Sequence, residues 1–212
     1  MKKTFDLSVY LVLDPDLCRD IGMIETTRLA VAGGVTIVQL RDKQADTAKM
    51  VETGRALKAV LAGTGVPLII NDDVEAAIAI HAEGLHVGQS DMVAVMARQR
   101  VGHGMILGLS VETEELARRV DPSIVDYVGI GPVFATSTKP DHKQPIGFDG
   151  LARIAAMAPV PAVAIGGVKA EHAGPALGAG AKGIAVVSAI CGQPDPEAAA
   201  RKIAAEIERA RA

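Results

Sequence analysis

Short apolar runs alternate with longer amphipathic stretches from Ser8 to the end of the chain. Strands are predicted at Ser8 to Leu13, Val35 to Leu40, Val66 to Ile70, Leu85 to Val87, Met105 to Leu109, Val125 to Ile130, Ala162 to Ile165 and Gly183 to Val187. Helices are predicted at Met23 to Ala32, Asp46 to Ala62, Val74 to Ile80, Glu112 to Val120, Asp149 to Met157, Lys169 to Gly178 and Pro196 to Arg211. The second of these carries Met50, Leu57, Val60 and Leu61 near helical spacing, and Asp149 is read as the cap of its helix. The stretch between Asp91 and Met105 receives no helix of its own, although it is counted into eight strand and helix pairs.

Alternating β and α segments with apolar strands imply a parallel sheet covered by helices. Eight such units in 212 residues favour a closed (β/α)8 TIM barrel, with residues 1–212 forming a single domain. An open doubly wound sheet is the second architecture, and it would need a glycine-rich phosphate fingerprint after an early strand, which the sequence lacks. A chain of this size buries roughly 70% of its unfolded surface.

Composition narrows the partners. The chain is 49% hydrophobic but 2% aromatic with no Trp, so its core is built from Val, Ile, Leu and Ala. A formal net charge of -3 gives no electrostatic footprint for nucleic acid or an anionic membrane, which leaves small-molecule substrates. Cys18 and Cys191 lack the CxxC spacing of a zinc site and suggest no disulfide framework. No apolar run reaches the ~18 residues of a membrane span, and a cytoplasmic location follows by default. Association into a homo-oligomer is compatible with all of this.

A barrel collects its chemistry where strands end. Gln39, Arg41 and Lys43 follow the second strand, Asn71 and Asp72 the third, Asp91 the fourth and Ser110 the fifth. Thr136 to Lys139 follow the sixth, Gly166-Gly167 the seventh and Ser188 the eighth. Strand alternation aims Gln39 and Arg41 to one side, and Arg41 with Lys43 would suit a diphosphate. Asp72, Asp73 and Asp91 could each simply cap a helix; equally, Asp72 and Asp91 end adjacent strands and could hold Mg²⁺, which takes oxygen ligands and bridges phosphates. Ser110, with Glu112, Glu114 and Glu115 behind it, reads first as an N-cap. Thr136, Ser137, Thr138 and Lys139 offer hydroxyls, amides and one ammonium to a phosphate. His86 reads as a positioned strand residue, and the five histidines show no His-x-x-x-His spacing.

In combination, Gln39-Leu40-Arg41-Asp42-Lys43, Ile70-Asn71-Asp72, His86-Val87-Gly88-Gln89-Ser90-Asp91, Gly131-Pro132-Val133-Phe134 with Thr136-Ser137-Thr138-Lys139, Ala164-Ile165-Gly166-Gly167 and Val187-Ser188 resemble the thiamine-phosphate synthase family. The resemblance runs from the first strand to the last. It implies transfer of a hydroxymethylpyrimidine from its diphosphate to a thiazole phosphate, giving thiamine phosphate and pyrophosphate by a dissociative route. It further implies that Gln39, Arg41, Lys43, Asn71, Ser110 and Lys139 hold the pyrimidine diphosphate, with Arg41, Lys43, Ser110 and Lys139 catalytic. Asp72 and Asp91 would hold Mg²⁺, and Thr136, Ser137, Thr138, Gly167, Val187 and Ser188 the thiazole phosphate. Ala135 departs from the Pro that the family often carries there. The competing readings are a thiazole tautomerase, which needs no diphosphate grip, a non-catalytic barrel that binds a phosphometabolite, and a Schiff-base aldolase. The last is disfavoured because Lys43 and Lys139 lie in polar sequence.

Overall fold

The structure is a computed structural model that describes residues 4–136 and 144–212. The described strands are β1 (Val9–Leu13), β2 (Ile37–Leu40), β3 (Leu68–Asn71), β4 (Gly84–Val87), β5 (Ile106–Val111), β6 (Tyr127–Ile130), β7 (Ala162–Ile165) and β8 (Ile184–Val186). Between and after them run α1 (Met23–Ala32), α2 (Thr47–Leu61), α3 (Val74–Ala79), α4 (Ala94–Val101), α5 (Glu114–Arg118), α6 (Gly147–Met157), α7 (Ala173–Gly178) and α8 (Pro196–Arg211), with a 3-10 turn at Ala170–His172 leading into α7. Each strand pairs in parallel with its neighbours, and β8 returns to β1 with Val9 opposite Ile184, so the sheet closes into the predicted (β/α)8 barrel.

Alternation along the strands divides the core into two layers. Leu11, Leu13, Val38, Leu40, Leu68 and Ile70 point outward and pack under the helices. Tyr10, Val12, Ile37, Ile69, Ile106, Tyr127, Val163 and Ala185 fill the barrel itself. Toward the C-terminal ends of the strands this inner layer turns polar, with Gln39 and His86 both buried there.

Helix capping sorts the acidic and hydroxyl residues left ambiguous by sequence. Asp73 caps α3 by accepting from the Ala76 amide at 2.8 Å, and Thr113 caps α5 by accepting from Leu116 at 3.2 Å. Ser110 is therefore not the N-cap expected; it lies within β5. Asp149 is not a cap either, because α6 begins earlier at Gly147 and places Asp149 in its first turn, where its charge complements the helix dipole.

The helix missed by sequence, α4, carries an inverted pattern. Val93, just before it, and Val95 and Met96 within it are 64%, 47% and 55% exposed, whereas Arg98 is 4% exposed and faces the sheet. A charged residue on the inner face cancels the periodicity by which an amphipathic helix is recognised. Cys18 and Cys191, 2% and 1% exposed and distant in sequence, meet as free thiols beside β1. Their mutual hydrogen bond holds Cys18 below and Cys191 above the usual thiol range. Among the described residues, no helix is long and apolar enough to cross a membrane.

Candidate active site

Adjacent strands β3 and β4 run in register with Asn71 opposite His86, and the loops beyond them bring Asp72 and Asp91 within hydrogen-bond reach of each other. Asp72 sits at φ 62, a left-handed conformation uncommon for a residue with a Cβ and the kind of backbone strain that gathers at functional sites. Its carboxylate also accepts from Asn71 Nδ2 at 2.7 Å and forms an ion pair with Lys43 Nζ. Asp91 accepts from the Gly88 amide at 2.8 Å. Helix capping does not account for either carboxylate, since Asp73 caps α3, whereas α4, with Val93 at its N-cap, has no side-chain cap. Burial pushes the Asp72 carboxyl above its usual range, and while Lys43 opposes that rise, the Asp91 carboxyl adds to it. A buried carboxylate raised in part by a second one beside it is the kind of pair that a cation would relieve.

The donor set defines which cation fits. Among the described residues there is no group of three or more His, Cys, Asp or Glu side chains that could hold a metal. Two carboxylates beside a cation-lined loop are too few for a protein-caged zinc or calcium. They suit Mg²⁺, which commonly keeps its waters and takes one or two carboxylates together with substrate phosphates. Arg41, half-buried just past β2, has no carboxylate partner among the described residues, so its guanidinium is not neutralised from within that part of the chain.

Inside the barrel mouth, a continuous hydrogen-bonded row joins residues of five strands. Gln39 Nε2 donates to Tyr10 Oη at 2.7 Å, and Tyr10 Oη lies 2.7 Å from Tyr127 Oη. Tyr127 Oη is 2.9 Å from His86 Nδ1, and His86 Nε2 is 3.0 Å from Ser110 Oγ. Burial raises both phenols above the usual tyrosine range and lowers His86 to about 4, so the imidazole is neutral at pH 7. Unfolding returns His86 to an ordinary pKa of about 6.5. Between those two values the unfolded chain binds a proton that the folded chain refuses, so stability falls as pH falls through that window. The expected loss is about 3 kcal/mol from pH 7 to pH 4. Urea midpoints at pH 7 and pH 4.5 should show that slope in the parent chain, and a smaller one in His86→Gln.

The sixth loop leaves β6 through Gly131-Pro132 and lies across the seventh. Val133 and Phe134 donate their amides to Ile165 and Gly166 carbonyls, both at 2.9 Å. A Cβ at Gly166 would stand 2.6 Å from Pro132 Cα, and one at Gly167 2.7 Å from Phe134 Cβ, so the double glycine is required by this crossing. Phe134 is held from the other side by Phe148 and His172, with ring centroids 5.2 and 4.6 Å away. Thr136 is half-buried at the end of the described part of this loop, while Ser137, Thr138 and Lys139 lie outside the described residues. Beyond β8, Val187 is half-buried and Ser188 exposed in the turn that leads to α8.

Lys43, Asn71, Asp72 and Asp91, which the sequence sets at the ends of neighbouring strands, are joined by direct contacts. Sequence reasoning assigned Gln39 a place on the rim beside Arg41, but the Gln39 amide is turned into the barrel onto Tyr10. It missed Tyr10 and Tyr127, the only tyrosines in the chain. Two signals pointed to them: each alternates with apolar strand neighbours at inward positions, and Gly108 and Gly129 fall inside β5 and β6. Glycine within a strand marks close approach by another group. A hollow of about 730 Å³ opens at the opposite end of the barrel between Phe5, Thr36, Lys58 and Glu83. Lys58 and Glu83 pair with each other there, and none of the clustered residues above lines it.

Residues 9–190 match a family model described as thiamine monophosphate synthase. A thiamine-phosphate synthase of Azorhizobium caulinodans is 48% identical over 211 residues, covering 100% of both chains. One from Moorella thermoacetica is 40% identical over 203 residues, covering 96% of this chain and 97% of the relative. Among solved structures, a thiamine phosphate pyrophosphorylase from Pyrococcus furiosus superposes with a TM-score of 0.87 at 32% identity, covering 97% of this chain and 98% of that one. A 3-hexulose-6-phosphate synthase, 23% identical with a TM-score of 0.67 over 94% of this chain and 99% of its own, shares the fold.

Proposed function

Since the chain belongs to the thiamine monophosphate synthase family and is a transferase of thiamine biosynthesis, we propose that its site performs the transfer dissociatively and with Mg²⁺. The bond between the pyrimidine methylene and the diphosphate oxygen breaks first, and its electron pair leaves with pyrophosphate. The methylene cation that results is then captured by the lone pair of the thiazole nitrogen, forming the new C–N bond. No proton has to be removed at either step, which agrees with a cluster that offers cations and carboxylates and no activated nucleophile.

The supporting observation is the convergence of Asp72, Asp91 and Lys43 with both carboxylates released from capping. Asp72 and Asp91 would hold Mg²⁺, whose contribution when bound is to neutralise charge on the departing pyrophosphate. Arg41 would fork onto diphosphate oxygens, and Lys43, which pairs with Asp72 in this structure, would offer its ammonium to the diphosphate. Asn71 donates to the Asp72 carboxylate and would offer its amide to the substrate. Ser110 meets the pyrimidine substrate at the barrel mouth, and Gln39 supports it from below through the buried row. Lys139 completes the grip on the diphosphate. Thr136, Ser137, Thr138, Gly167, Val187 and Ser188 hold the thiazole phosphate through hydroxyls and backbone amides, keeping the second substrate beside the nascent cation. The reading places the reaction in the cytoplasm.

Pyrophosphate release from hydroxymethylpyrimidine diphosphate and thiazole phosphate tests this directly. Release with Mg²⁺, accompanied by thiamine phosphate and lost on chelation, is the expected result. Equal rates with and without chelator would remove the metal from the mechanism. Intact substrates in the presence of Mg²⁺ would remove the transfer itself.

A further inference from the structure

The row from Gln39 to Ser110 has a direction. A phenol or a serine hydroxyl has one proton to donate, and a neutral imidazole has one N–H and one bare nitrogen. Gln39 Nε2 can only donate, so Tyr10 Oη accepts from it and must send its own proton onward to Tyr127 Oη. Tyr127 then donates to His86 Nδ1, which leaves the imidazole proton on Nε2, donating to Ser110 Oγ. With that lone pair of Ser110 occupied, its hydroxyl proton is free to point out of the barrel.

We propose that Gln39, Tyr10, Tyr127 and His86 act as positioning residues that fix the Nε2–H tautomer of His86 and thereby make Ser110 a hydrogen-bond donor toward the pyrimidine substrate. The barrel is built around this row. A Cβ on Gly108 would lie 2.2 Å from Tyr127 Cζ and 2.4 Å from His86 Nδ1, and one on Gly129 3.4 Å from His86 Cε1. Barrel interiors are usually packed with branched apolar side chains at such positions. Here two glycines on neighbouring strands clear the volume that the phenol and the imidazole occupy, and the rings lie against each other with centroids 5.5 Å apart. Among the described residues, no buried side-chain polar atom is left without a partner, so the row is closed at every link and one hydroxyl cannot be removed without disturbing the rest.

The contact of Ser110 with substrate rests on the function proposed above; the tautomer does not. Imidazole ¹⁵N shifts of the ligand-free chain, assigned to His86 by comparison with His86→Gln, should show a protonated Nε2 and a bare Nδ1. A protonated Nδ1 in the parent chain overturns the direction of the row, whatever the activity. In Tyr127→Phe the ring shape is kept and the link is cut, so His86 should become a mixture of tautomers. The kcat/KM for the pyrimidine diphosphate should fall about tenfold, the size of one hydrogen bond, with the KM for thiazole phosphate unchanged. Gln39→Glu, whose carboxylate accepts from Tyr10, should reverse the row and move the proton to Nδ1. Ser110→Ala should lose a similar factor, and adding Tyr127→Phe to it should cost little more, since both act through one hydroxyl. If the two losses multiply instead, the tyrosine acts elsewhere and the proposal fails. A parent chain that does not turn over would sink the transferase reading while the tautomer result stood.

Discussion

Asp72→Asn is expected to slow pyrophosphate release by about a hundredfold or more even at saturating Mg²⁺, whereas Asp73→Asn, one residue along, should stay within about twofold. The two neighbours differ in what they hold. Asp73 caps α3, and Asn is as good a cap as Asp. Asp72 faces Asp91 and Lys43, and its backbone is held at φ 62, a conformation Asn adopts at least as readily, so the variant changes charge without disturbing the turn. With Mg²⁺ held as proposed above, losing one of two carboxylates would remove half of the protein's share of the cation site. It also leaves Lys43 without its present partner. The Mg²⁺ concentration for half-maximal rate should rise together with the fall in rate, and Asp91→Asn should behave in the same way. Thermal stability should hold or rise slightly, because one of two mutually repelling acids is gone. Full activity in Asp72→Asn with an unchanged Mg²⁺ requirement would mean that the pair serves only the loop.

What sequence could and could not convey follows from the kind of signal each feature leaves. The barrel was legible because apolar strands and amphipathic helices alternate with little interruption, and even short strands such as Leu85 to Val87 fall inside their observed elements. Edges moved by one to three residues, which shifted Asn71 and Ser110 from loops into β3 and β5. That shift matters for Ser110: as a strand residue it aims inward at His86 and leaves the capping of α5 to Thr113. The acidic pair was legible as a pairing of strand ends, but which of Asp72 and Asp73 served the helix needed coordinates. The buried row was not legible, since its members lie on five strands and no local spacing links Tyr10 to Tyr127 or His86 to Ser110. The grip expected from Ser137, Thr138 and Lys139 falls outside the described residues, and only the approach to it, over Gly166 and Gly167, is on view.

The inward arginine that hid α4 should prove the costliest single side chain to remove on the face away from the chemistry. Arg98 donates to the carbonyls of Ile124 at 2.9 Å, Gly102 at 2.7 Å and Met105 at 2.6 Å, and its Nη2 reaches Asp126 at 2.7 Å. Asp126 in turn accepts from the Leu107 amide at 2.8 Å, tying the starts of β5 and β6 to the end of α4. With 4% and 25% side-chain exposure the pair is largely withdrawn from water, so cutting it leaves a carboxylate without its guanidinium and three carbonyls without their donor. Arg98→Met keeps the length and apolar stem of the side chain and isolates that loss. The expected destabilisation is about 3–5 kcal/mol, which for a chain of this size lowers the melting temperature by roughly 10 °C. Adding Asp126→Asn should recover part of the loss by removing the uncompensated charge, and the single variant should lose less at acid pH, where Asp126 can protonate. A drop of only a degree or two at pH 7, with no gain from the second substitution, would show that the neighbouring packing holds β5 and β6 without the ion pair. Because the row from Gln39 to Ser110 lies at the other end of the strands, residual activity below the lowered melting point should remain close to that of the parent chain.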